Sequence, residues 1–513
     1  MRRWWIAATT AGLLLGVGGS ASAQQPTLER AAQYQLTVQV IGPDGKPAKE
    51  AELWLAPIDS TGDPESFTVK NGRISIQRPK GNYLLDTQLV TKSGDVYKLL
   101  QPSLKISSAT TVLADTRVAR QIATRVPRST AREVVLDVSY LASYDDTGVG
   151  NTANTERGKR LFTAQVGPTP AGMTINTQVS SHWAVPGPKH DFADTPYMYN
   201  LRRKIPGRFP TGYERTVRDA ELTKVVSQHT RVSDRPLLKT IGTGDTKGGG
   251  AFAEFRFRGA GTVTQYMDPA GWDTSLSEYD GKRAAELSTF ERPAAEGRRW
   301  NAAPFYPSWR GFGRAVRQAD RMELDLMPAT DQDGNPGSSP LDTESMKLYR
   351  DGRLAQSSDF LGMQVFDLPA KAANYRLTAD YSRPSWSPLS SRASVAWTFR
   401  SQANAAETAL PLYTVRFRPA VNAANLVRRT PVTVLPFQAD AQDGVPAPES
   451  AQLQYSGDNG KSWRRAAVVR RPNGTFVAVF PTPKSTYVSL RAQLTGTTGS
   501  TVDQTLIQAY RLK

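Results

Sequence analysis

Three histidines are all this chain offers for imidazole chemistry. Two of them, His182 and His190, fall near Asp191 and Asp194. Zinc takes three or four ligands held at short, rigid spacings. Pro186 and Pro188 instead make the stretch a wandering loop, so surface polar residues are the preferred reading. His229 has no evident partner in the sequence. Asp331-Gln332-Asp333-Gly334-Asn335 opens like a calcium loop, where alternate carboxylates converge on a hard cation. A full EF-hand loop needs Glu at its twelfth position, where Asp342 stands, and Asp-Gly-Asn makes a polar turn by itself. The turn is preferred. Calcium is the one cofactor left open; no other is expected.

Gly242-Thr243-Gly244-Asp245-Thr246-Lys247-Gly248 lacks the Gly-Lys-Ser/Thr order of a phosphate cradle and reads as a loop. Ser456-Gly457-Asp458-Asn459-Gly460-Lys461-Ser462-Trp463 matches an Asp-box hairpin, in which the Asp bonds turn amides and the Trp packs beneath. One copy is a folding device. Trp272, Trp300, Trp309 and Trp386 lie in Pro/Gly-bearing segments, where exposed rings could stack on sugars. The bland alternative, plugs at the ends of a core, is favoured because Trp is highly buried on average. With Arg310 and Arg314, from the cluster that continues through Arg317 and Arg321, these four rings form the candidate ligand-binding set.

The elements that must position such residues are bounded by composition. The 513 residues carry a formal charge of +17 and no cysteine, which excludes thiol catalysis, thiolate metal sites and disulfide frameworks. A basic surface outside a cell concentrates the chain on polyanions in a salt-dependent way, and no nucleic-acid motif accompanies the arginines, so no specific nucleic acid is expected. Arg2-Arg3, the apolar run 6–19 and Ala21-Ser22-Ala23 make a secretory leader, residues 1–23. No later segment has spanning length, so the mature protein is expected to be secreted, extracellular and without a membrane span.

Strand signals dominate the chain beyond the leader. Leu36, Val38 and Val40 alternate with polar partners before the turn residues 42–47; Ala51, Leu53 and Leu55 alternate next. Residues 120–132 look like a polar connector and 145–160 like an exposed loop. The best short helix lies at 219–228. From Thr408 onward, six to seven strand-length segments fit an immunoglobulin-like or fibronectin-like sandwich. The expected fold is all-β, several antiparallel β-sandwich domains in tandem: 30–120, 131–270, 271–405 and 408–513.

Gly45-x-Pro47, Ala51, Gly72 and Pro79-x-Gly81-x-Tyr83 resemble the carboxypeptidase-regulatory, transthyretin-like sandwich. Trp300-Asn301-x-x-Pro304-Phe305, Leu348-Tyr349-Arg350-Asp351-Gly352, Ala396-Trp397-Thr398-Phe399-Arg400-Ser401 and Val415-Arg416-Phe417-x-Pro419-Ala420 resemble the non-catalytic region that follows the protease domain in large secreted bacterial subtilisin-like serine peptidases. The protease domain itself is missing. Asp146-Thr147-Gly148 mimics one of its motifs by chance, and its His and Ser motifs have no counterpart. The resemblance implies accessory architecture without an enzyme. The expected function is non-catalytic binding of an extracellular polysaccharide, an anionic cell-wall polymer or a partner protein. The alternative is a separately encoded or relict accessory region of such a peptidase, with a secreted protease as partner.

Overall fold

The computed structural model describes residues 4–7, 32–58, 62–145, 147–189, 191–243, 252–269, 271–279, 284–290 and 298–513. Among them the ordered elements are β-strands, apart from two single-turn helices, Thr116–Val118 and Asp219–Glu221. The chain is all-β. Its sheets pack face to face, and antiparallel ladders dominate. Parallel pairs join segments distant in sequence, such as Gln33–Ile41 with Thr110–Asp115. No helix among the described residues is long and apolar enough to cross a membrane.

The N-terminal ladder follows the expected alternation. Leu36, Val38 and Val40 of Gln33–Ile41 point into a core with Leu53, Leu55, Leu85, Leu99 and Ile106. The strands Glu50–Pro57, Gly81–Val90 and Val96–Ile106 are also covered on their other face. There Trp54, Ala56, Leu84 and Leu100 meet Leu136, Val138, Tyr140 and Ile175 of the following sheet. A strand buried on both faces reads as a continuous apolar run, as Leu53-Trp54-Leu55-Ala56 does.

The central unit joins two sheets around Met198, Val225, Leu237, Phe255, Trp272, Leu276 and Trp300. Its second sheet pairs Leu237–Thr243 with Ala253–Phe257 on one side and Trp272–Tyr279 on the other. The division expected at 270/271 therefore falls inside one sheet. C-terminal to it, a single core runs from Tyr306 to Leu512. One nine-stranded sheet carries Arg392–Ser401 beside Thr501–Leu512, so the stretches on either side of residues 405–408 also share a ladder.

Three local expectations are corrected. Residues 219–228 are a helical turn followed by the strand Thr223–His229, because Val225, Ser227 and His229 alternate inward at period two. The expected loop 145–160 contains the strand Thr147–Asn154, paired along its length with Arg132–Tyr144. A Cβ on Gly150 would lie 2.6 Å from the Tyr140 carbonyl oxygen, so small residues here serve close approach of the backbones. The expected connector 120–132 holds the strand Arg120–Arg125, paired in parallel with Tyr213–Thr216.

Candidate binding site

Of the four candidate tryptophans, Trp272, Trp300 and Trp309 are buried. They plug cores and present no ring to a ligand. Trp272 donates its indole N–H to the Asp268 carbonyl at 3.0 Å and meets His182 edge-on. Lys239 Nζ lies 3.5 Å from the centroid of Trp300. Trp309 stacks at a tilt on Trp397, 5.1 Å between centroids. The physical reason is size: each ring is the largest apolar group available where two sheets converge.

Arg310 and Arg314 are bound into the fold's own surface. Arg310 donates to the Ala441 carbonyl at 3.0 Å and reaches Asp443. Arg314 pairs with Glu323 and Glu407. The two arginines and the three buried rings are not brought together.

Trp386 is different. It is half-buried and lines a groove of about 800 Å³, wide open to solvent, between the central and C-terminal units. One wall is the turn 233–236, which connects Thr223–His229 to Leu237–Thr243, together with Arg256 and Tyr279 from neighbouring strands. The other wall is the turn 384–388 between Ala373–Ser382 and Arg392–Ser401. Sequence reasoning singled out Trp386 and missed Arg235, Arg256 and Tyr279. No local signal marks them, since the two walls lie 151 positions apart in the chain.

Both walls are held rigidly. The buried Glu278 carboxylate accepts from the Val232 and Ser233 amides at 2.6 and 2.8 Å and from Ser233 Oγ at 2.6 Å. On the opposite side Arg383, buried over the Phe305 ring, donates to the carbonyls of Ser390 and Leu389. Burial lowers the Arg383 pKa to about 10. Ser387 Oγ bonds the Leu389 carbonyl and the Trp386 amide closes the turn onto Arg383. Across the groove, the Arg235 guanidinium stands 5.3 Å from the Trp386 centroid and reaches the Ser385 and Trp386 carbonyls at 3.5 and 3.4 Å. Arg256 lies 5.4 Å from the Tyr279 centroid. Two aromatic rings, each with a guanidinium, thus line one shallow trough.

The other motifs serve structure. Asp331 Oδ1 accepts the Asp333 and Asn335 amides, and Oδ2 accepts the Asn301 amide and Asn335 Nδ2, all within 3.0 Å. Arg299 and Arg418 hold Asp333. Asp458 accepts from Ser462 N at 2.9 Å and from Ser456 Oγ at 2.7 Å, and these bonds hold its carboxyl well below the usual range. A Cβ on Gly460, at φ +84°, would lie 3.2 Å from Trp463, so the Asp-box turn sits on its ring as its pattern implies.

His182 shares a 2.8 Å bond with Asn200, and burial lowers its pKa to about 4. His229 packs edge-on against Phe257, and burial also lowers its pKa. Among the described residues no three His, Asp or Glu side chains gather as metal ligands. His190, Asp146, 244–248 and the leader outside Trp4–Ala7 lie outside the described residues.

No family model matches the chain and no curated protein matches it. Among solved structures it is similar to the major pilin subunit of Bacillus cereus, at 11% identity over 53% of this chain and 99% of that one, with TM-score 0.14. A streptococcal ancillary pilin gives 9% identity over 53% and 99%, with TM-score 0.13. A variant of Salmonella alpha-2-macroglobulin gives 8% identity over 94% of this chain and 40% of that one, with TM-score 0.18. At these scores the likeness carries no argument about fold or function.

Proposed function

We propose that this multi-domain β-sandwich protein works outside the cell as a non-catalytic binder of an anionic extracellular polysaccharide, held in the groove lined by Arg235, Arg256, Tyr279 and Trp386. The observation that carries the reading is the pairing of each aromatic ring with an arginine in that groove. Ring faces take the C–H surface of a sugar, and guanidiniums take its carboxylate, sulfate or phosphate oxygens. The trough is shallow and open, unlike the enclosed pockets that bury a small ligand. An open trough suits a chain that runs through and beyond it. The excess of 64 basic over 47 acidic residues favours encounter with a polyanion.

The test is retention of the purified protein on acidic and neutral insoluble polysaccharides and on isolated cell walls, across a salt series. Binding to the acidic matrices that weakens in Trp386→Ala supports the reading. Equal retention of wild type and Trp386→Ala, or no retention on any matrix, overturns it.

A further inference from the structure

The interface between the N-terminal sheet and the sheet that follows it has an apolar core that encloses a charged cluster. There Asp86 and Lys98, each 1% exposed, form an ion pair of 2.9 Å. They come from the adjacent strands Gly81–Val90 and Val96–Ile106. Tyr140 and Asn151, directly opposite each other on two paired strands of the facing sheet, both reach across to the same carboxylate oxygen, at 2.7 and 3.2 Å. One buried oxygen therefore gathers an amine, a carboxamide and a phenol. The Asn151 carbonyl oxygen in turn accepts the Thr152 amide at 2.7 Å.

Burying two charges this deeply costs several kcal/mol per ion unless the surroundings repay it. Proton transfer from Lys98 to Asp86 removes both charges and leaves a neutral amine beside a carboxamide. Proximity of this kind turns a bimolecular condensation into a unimolecular one. The geometry points to an intramolecular amide bond between Lys98 Nζ and Asn151 Cγ, with Asp86 as the proton carrier. It would staple the N-terminal sheet to the central one in a chain that has no cysteine.

The step balances without a co-reactant. Asp86 takes a proton from Lys98, and the freed lone pair attacks Asn151 Cγ while the Thr152 N–H holds the developing oxyanion. The Cγ–Nδ2 bond then breaks. Of the three protons on the Lys98 ammonium, one stays on the new amide and two leave with Nδ2 as ammonium, which returns Asp86 to its carboxylate. A cavity of about 230 Å³ that touches Asp86, Lys98 and Asn151 gives the leaving group a way out. Tyr140, whose hydroxyl is held protonated by burial and by Asp86, positions the carboxylate.

Intact-mass spectrometry of the full, folded chain tests this directly. The expected wild-type mass is short by one ammonia relative to its sequence. A protease digest should then yield one branched peptide joining Lys98 to Asn151. Lys98→Arg, Asn151→Ala and Asp86→Ala should each keep the full mass; the wild-type mass decides the matter even if these variants fold poorly. An unmodified wild-type mass, loss of one water through a Lys98–Asp86 link, or a branch at any other pair overturns the inference.

Discussion

The Arg235 guanidinium reaches the backbone carbonyl of Trp386 and stands over its ring, so one side chain of the central unit ties down the one candidate tryptophan that faces solvent. A ring held this way loses little freedom when a ligand arrives, which lowers the entropic cost of binding. Trp386→Ala is expected to weaken retention on acidic polysaccharide by about tenfold, in line with roughly 1.4 kcal/mol for one stacked aromatic contact. Arg235→Ala should weaken it mainly at low salt. Affinity electrophoresis across a salt series separates the two effects. Neither change touches a core, so the unfolding midpoint should stay close to wild type.

The buried tryptophans predict the opposite pattern. Trp272→Ala or Trp309→Ala removes a ring that is fully enclosed, and each should cost about 3–5 kcal/mol of stability. Trp272→Phe should recover part of the loss but not the hydrogen bond to Asp268. Urea unfolding monitored by far-UV circular dichroism measures both. Any loss of ligand binding in these variants should track the fraction unfolded. A folded Trp272→Ala that no longer binds would contradict the assignment of the site to Trp386.

The all-β class was legible because period-two alternation survives wherever one face of a strand carries polar residues, as where Leu36, Val38 and Val40 alternate with Gln35, Thr37 and Gln39. It failed where that condition failed. Trp54 and Ala56 are inward on a second face, so alternation alone under-reads the strand that carries them. Thr147–Asn154 looks like a loop because Gly148, Gly150 and their Asn and Thr neighbours read as turn residues, although Val149 and Ala153 are buried and Gly150 lets the backbones approach closely. The groove was legible only at Trp386. Its partners Arg235 and Tyr279 arrive through folding between remote segments, and local patterns carry no record of such pairings. The arginines Arg310 and Arg314 clustered in sequence, yet their carboxylate partners also lie nearby in space and consume them.

Asn425 is predicted to be a stability hub between units. It is fully buried at φ 55°; its amide nitrogen donates to the carbonyls of Arg231 and Asn301 at 3.0 and 2.8 Å, and its oxygen accepts the Ala303 amide at 2.8 Å. Asn425→Ala removes the partner of two buried backbone groups and one half-buried one, and places a Cβ without a local hydrogen bond in the left-handed region. A loss of about 2–4 kcal/mol is expected. Asn425→Gly removes the same bonds without the backbone strain, and should be milder by about 1 kcal/mol. Chemical unfolding of both variants checks the ordering; a neutral Asn425→Ala would mean that the hub holds nothing.

Stability should also depend on pH through Glu133. Burial pushes its carboxyl, half-covered on Arg132–Tyr144, up to about 7 from an ordinary value of 4.5. The folded chain therefore keeps a proton that the unfolded chain has already released as pH rises past 4.5. Between those two values the native state binds more protons, so each step up in pH favours unfolding. This group's contribution to stability is greatest below about pH 4.5, falls through neutrality and is level above it. The full difference is on the order of 1–3 kcal/mol once solvent screening of a partly exposed group is allowed for. Glu133→Gln should remove that slope, leaving the variant relatively more stable than wild type at pH 8 and nearly equal at pH 5. Thermal unfolding of both proteins at the two pH values tests the sign. A wild-type advantage at pH 8 would show that the charged carboxylate is stabilised in place.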